Sequence, residues 1–112
     1  MTTKKFPIGD VVATHSGIVL ANGQWNGICA VANHIVGQHL MTHRMAFEAD
    51  RIANALALQH PWLTSLDVPS KDKGNTIEQA AVWLDDLAAV HGETLNLHTD
   101  PGYIIRNSQE TL

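Results

Sequence analysis

Two apolar stripes separated by a short joint constrain this chain more than any other feature. Trp25, Ile28, Val31, Ala32 and Ile35 recur at intervals of three and four, as do Met45, Ala49, Ile52, Ala53 and Leu56. That spacing belongs to helices that each bury one face. Between the stripes stands Gly37-Gln38-His39-Leu40-Met41-Thr42-His43. Gly37 falls where a left-handed residue would end the first helix, and the Thr42 hydroxyl is placed to cap the second. The residue before Pro61 is disfavoured in helical geometry, so the second helix stops near Gln59 or His60. The sequence therefore predicts helices over about 24 to 36 and 42 to 59, joined by a turn whose Leu40 and Met41 point partly inward.

The remaining segments read as shorter pieces around this pair. Residues 1 to 9 form an extended arm that lays Phe6 and Ile8 on the core, because Pro7 forbids a helix interior. Asp10 is placed to cap a short helix through His15, with Gly17 as its stop. Ile18-Val19-Leu20 suits a buried strand closed by an Asn22-Gly23 turn. Pro61-Trp62-Leu63 bends the chain and should return Trp62 to the second helix, and Leu66 to Val68 suits another strand. The polar run 70 to 74 is an exposed loop. Asn75 followed by Glu78 resembles a capping box. It opens a helix marked by Ile77, Ala80, Ala81, Leu84, Leu87 and Ala88 that ends at Gly92, with Asp85 and Asp86 outward. Leu95 and Leu97 alternate with Asn96 and His98 as in a half-buried strand, and Asp100-Pro101-Gly102 turns toward a further strand at Tyr103 to Ile105. The sum is an α+β fold: about three principal helices packed with a small sheet of short antiparallel strands. It forms a single domain over 1 to 112, with flexible ends at 1 to 5 and 107 to 112.

Composition narrows the function classes. Seven Lys and Arg residues against eleven Asp and Glu give a net charge of −4, and the cations are scattered, so no basic patch recommends nucleic acid as a partner. No apolar run approaches the ~18 residues of a membrane span, and Pro7, Gly9 and Asp10 interrupt any signal-peptide pattern. The single Cys29 fits a reducing compartment, so a cytoplasmic location is expected. Charged residues make up 16% of the chain against about 25% in typical domains, which favours a protein partner or a homo-oligomer.

Candidate chemistry gathers at the joint. His34, His39 and His43, joined in space by His15 or His60, offer nitrogen ligands for a metal, but His-x4-His-x3-His matches no standard zinc run. The expectation is therefore no metal and no cofactor. Cys29, in the first half of a helix, suits a thiol nucleophile paired with histidine, although its apolar neighbours equally suit a small buried side chain. Asp85 and Asp86 diverge by about 100° on their helix, and Glu48 with Arg51 has the spacing of a surface ion pair. Trp25, Trp62 and Trp83 read as core anchors, and an exposed tryptophan would instead mark an interface. The residues assigned to binding are Gln38, His39, Thr42, His43 and Arg44.

The order Gly9-Asp10-Val11-Val12, then Gly37, Leu40, Thr42 and His43, then Gln59-His60-Pro61-Trp62-Leu63, Trp83-Leu84 and Gly92-Glu93-Thr94-Leu95 resembles a family of small accessory proteins from tailed phages and prophages. The likeness spans about residues 6 to 98; His39 and Ala46 depart from its pattern, whereas Thr42 and His43 keep to it. The resemblance implies a small phage protein that binds a host or phage protein stoichiometrically, inhibiting a host defence or housekeeping complex. The alternatives are a self-assembling structural protein, or a small metal-dependent or Cys/His-dependent enzyme.

Overall fold

Pro7 and Gly17 set the bounds of the first helix. The computed structural model describes residues 3–18, 20, 24–37 and 42–99, without the side chains at 42, 43, 46 and 71. Strand β1 (Thr3–Pro7) runs straight into helix α1 (Ile8–Ser16), with Pro7 as the cap residue and Gly17 left-handed at φ 75°. Asp10 thus lies inside the first turn of α1 and is not its cap. A proline sits well there, since its fixed φ and missing N–H cost nothing at a helix start. Residues 3 to 5, expected within a loose end, form the first part of β1.

Helix α2 (Trp25–Val36) ends at a left-handed Gly37, φ 82°, whose N–H returns to the Asn33 carbonyl at 2.8 Å. Helix α3 (Thr42–Gln59) follows, and a 3-10 helix (Pro61–Ser65) turns the chain. After a second short 3-10 helix (Lys71–Lys73), α4 (Ile77–His91) starts from a capping box. The box is built on Thr76 and Gln79, one residue beyond the expected Asn75 and Glu78. Asn75 is occupied elsewhere, its side-chain oxygen accepting from the Ser70 N–H at 3.3 Å. Strand β2 (Thr94–His98) alternates exposed and buried residues as its sequence predicts.

β2 returns to pair antiparallel with β1, with Thr3 opposite His98, Lys5 opposite Asn96 and Phe6 opposite Leu95. The fold is α+β, with four α-helices and a two-stranded antiparallel sheet among the described residues. Ile18, Leu20 and residues 66 to 68 are not strands. Val68 is buried nonetheless, and Lys73 Nζ donates to its carbonyl at 3.0 Å and to the Asp67 carboxylate at 2.6 Å. Val19, Asn22, Gly23 and residues 100 to 105 lie outside the described residues.

The core joins Val11 and Val12 of α1, Val31, Ile35 and Val36 of α2, Leu56 of α3, Leu63 and Leu97. Each such side chain contributes about 1.5–3 kcal/mol through the surface it removes from water. On α3 the buried stripe is Met45, Ile52, Ala55 and Leu56, together with Glu48, whereas Ala49 is exposed. Only Ala80 of α4 is fully buried. Trp83, Leu84, Leu87 and Ala88 lean on the core from outside, so this helix covers the body more than it builds it. No helix of the described residues is long and apolar enough to cross a membrane.

Candidate functional site

Gly37 halts α2, and after the joint α3 begins at Thr42, which places the predicted binding residues between two helix ends. Gln38 and His39 lie outside the described residues, as do Leu40 and Met41. Thr42 and His43 open α3, but their side chains are not described. Arg44 is the one predicted binding residue whose contacts are visible: its Nε stands 3.4 Å from Glu48 Oε1, while Arg51 Nη1 donates to Glu48 Oε2 at 3.0 Å. Glu48 is only 4% exposed. The expected surface pair of Glu48 with Arg51 is therefore a buried carboxylate held by two guanidinium groups. Burial of a charge is tolerated only with such partners.

The opposite face of α3 is open to solvent and carries two large apolar side chains. Phe47 is 81% exposed and Leu58 83%, with the amide side chain of Asn54 exposed between them. Residues 47, 54 and 58 fall within about 40° of one another on a helix of 100° per residue. Thr42, His43 and Arg44 occupy the turn that precedes Phe47, so the predicted joint and this strip adjoin along one helix. Motif reasoning does not single out Phe47 and Leu58. The signal is present in the sequence, however, because both stand off the periodic stripe of their own helix. Asp50 and Arg51 border the strip, one exposed and one half-buried.

Two histidines hold the sheet to the helical part of the fold. His34 Nε2 donates to the Leu97 carbonyl at 2.7 Å, and its ring packs on Phe6 with centroids 5.1 Å apart. His60 Nε2 donates to the Asn96 carbonyl at 2.9 Å. His98 shares a hydrogen bond with the Thr3 hydroxyl at 2.7 Å. His15 is pushed below its ordinary value by burial, which disfavours the charged ring. Among the described residues no three His, Cys, Asp or Glu side chains gather as a metal would require. The suggested set of His34, His39 and His43 has its first member engaged by a strand carbonyl. Cys29 directs its thiol at the Met45 sulfur, 3.7 Å away.

No protein-family model, curated protein or solved structure matches this chain.

One aromatic expectation changes, at Trp25, whereas Trp62 is half-buried against the core as expected. Trp25 is 49% exposed, standing in the first turn of α2 at the rim of a stripe whose buried members begin at Ile28. Trp62 stacks flat on His91 of α4, with ring centroids 3.7 Å apart and planes 6° from parallel, so it clamps the end of α4. A cleft of about 600 Å³ opens where α1 meets α4, lined by Pro7, Gly9, Gln24, Leu84, Asp85 and Glu93 among others. Its deepest polar side chain, Gln24, is already used: the Oε1 accepts from the Leu20 N–H at 2.7 Å and the Nε2 donates to Asp10 at 3.3 Å.

Proposed function

We propose that this chain acts by stoichiometric capture of another protein, through the outer face of α3 and the turn that leads into it. The observation that carries this reading is the exposure of Phe47 and Leu58 on one side of a single helix. Large apolar side chains grouped in the open mark interaction surfaces, and aromatic anchors dominate binding energy. The helix rises about 16 Å between positions 47 and 58, which suits the apolar face of a partner helix laid alongside. Asn54 between the two anchors offers that partner a hydrogen bond, and Arg44 and Arg51, anchored by Glu48, supply a polar rim with the exposed Asp50. The resemblance to tailed-phage accessory proteins supplies the partner class, a host or phage protein, with inhibition of a defence or housekeeping complex as the outcome of capture.

The test is affinity capture of the tagged chain from bacterial lysate beside Phe47→Ser and Leu58→Ser. A single stoichiometric complex for the parent, lost in both variants with melting temperatures unchanged, is the expected result. Retention of the complex in both variants overturns the assignment of this face. The same strip also favours a second reading, self-assembly, which predicts a concentration-dependent dimer in sedimentation that Phe47→Ser abolishes.

A further inference from the structure

We propose that the outer edge of β1 accepts an acidic extended segment of another protein as a third strand. This surface is separate from the α3 face and stands whether or not that face binds.

The two-stranded sheet has two edges, and among the described residues side chains cover main-chain groups only on the β2 edge. On the β2 edge the Gln59 side chain imitates a neighbouring strand: its Nε2 donates to the His98 carbonyl at 2.9 Å and its Oε1 accepts from the His98 N–H at 2.7 Å. His60 covers the Asn96 carbonyl two residues before. These side chains also fix which way the ladder faces. In an antiparallel pair, opposed residues alternate between exchanging both hydrogen bonds and exchanging none. The main-chain groups of His98 and Asn96 point away from β1, so Thr3 opposite His98 and Lys5 opposite Asn96 are the non-bonded pairs. The Ile8 N–H bond to the Glu93 carbonyl, 2.9 Å, continues the same alternation on the even-numbered residues of the first strand. The N–H and C=O groups of Thr3 and Lys5 therefore point outward from the other edge, and among the described residues they have no partner. The open edge is short, because Pro7 has no N–H and the chain turns into α1 at Ile8.

Charge selects the occupant. Lys4 and Lys5 are both exposed on this strand, and Lys4 Nζ stands 5.4 Å from the centre of the Phe6 ring. A second copy of β1 paired antiparallel so that Lys5 exchanges both main-chain hydrogen bonds with a residue of the copied strand has two registers. In one, Lys5 faces Lys5 of the copy; in the other, Thr3 faces Lys5 and Lys4 faces Lys4. Either register sets like charges directly opposite each other, which destabilises a cross-strand pair. A strand carrying Glu or Asp on the face of the sheet that Lys5 occupies meets that lysine favourably and takes up the same four main-chain groups.

The probe is a fluorescein-labelled nine-residue peptide alternating glutamate and valine, read by fluorescence anisotropy with the full chain, beside a lysine–valine peptide of equal length. The acidic probe is expected to bind at least about tenfold more tightly than the basic one. Lys5→Pro deletes the outward N–H without touching the ladder to β2, and should weaken the acidic probe by at least about tenfold. If Lys5→Pro unfolds the chain, Lys5→Glu decides, with the preference expected to move to the basic probe. Phe47→Ser should bind the acidic probe as the parent does. The proposal is overturned by equal binding of the two probes, by unimpaired binding to Lys5→Pro, or by loss of binding in Phe47→Ser, which would place the probe on α3. It is also overturned by slow exchange of the Thr3 and Lys5 amides in the free monomer, which would mean the edge is already covered. A dimer of the free chain that Lys5→Pro dissolves would equally overturn it, by making a second copy the occupant.

Discussion

The Asp10 carboxylate occupies the space in which a side chain at Gly27 would lie: a Cβ built there would overlap the Cγ and both carboxylate oxygens of Asp10. Asp10 belongs to the first turn of α1 and Gly27 to the first turn of α2, so two helix starts meet around one negative charge, which the positive end of a helix dipole favours. Gln24 holds the carboxylate in place while binding the Leu20 N–H.

Gly27→Ala should therefore destabilise the fold by about 1–2 kcal/mol, although alanine is normally the better helix former by about 1 kcal/mol. Adding Asp10→Ala to Gly27→Ala should recover part of that loss, because the second change removes the clash made by the first. Urea unfolding of the parent, both single variants and the pair measures the coupling. Additive losses would show that the two sites do not touch.

His34→Ala should cost about 1–3 kcal/mol, since it leaves the Leu97 carbonyl without its side-chain donor and uncovers Phe6. With His34 engaged in this way, a chelator should leave the melting temperature of the parent unchanged. A fall in melting temperature on chelation, restored by zinc, would show that the ring leaves the strand to bind metal.

Burial lowers the His15 pKa from 6.5, so the unfolded chain binds the proton more readily than the folded one. Stability is then greatest above 6.5 and falls as pH drops through 6.5 toward the lower folded value. Thermal melts from about pH 7.5 to about pH 5 should show this loss, and His15→Gln should flatten it over that window. A parent whose melting temperature rises on acidification would reverse the sign.

Only one residue of α4 is fully buried, and the stack of His91 on Trp62 clamps its far end. Trp62→Ala should therefore speed hydrogen exchange along α4 before it affects α2 or α3. His91→Ala, which removes one ring of the stack, should cost less, about 0.5–1.5 kcal/mol. Uniform acceleration of exchange across all helices would instead place Trp62 in the common core.

The helices are legible because their signals are local. The stripe of α2 with Gly37 after it, the stop before Pro61 and the end of α4 at Gly92 each lie within a few residues of what they determine. The alternation of Leu95 and Leu97 marks β2 for the same reason. β1 reads only as an extended arm because its partner lies more than eighty residues away, and nothing within the first nine residues records that pairing. Ile18 to Leu20 and Leu66 to Val68 show the opposite limit: a short apolar run specifies burial but not ladder bonds. At the candidate site, chemistry-bearing residue types draw attention to the histidines, of which the structure uses His34 and His60 as ties to β2. The exposed strip of Phe47 and Leu58 carries no motif, and it becomes visible only by noting which apolar residues are out of phase with their helix.

The Thr3 to His98 tie joins positions 95 residues apart, and it sets an order on the birth of the fold. A ribosome makes β1 before the four described α-helices and β2 after them. Helices α1 to α3 have near neighbours in sequence and can pack early, whereas the sheet must await closure across more than eighty residues. During that interval Phe6 waits without Leu95 opposite it, and both sides of β1 offer unpaired main chain. The nascent protein is then most exposed to wrong pairing at the strand where Lys4 and Lys5 stand, and their like charges keep neighbouring nascent chains apart until β2 arrives.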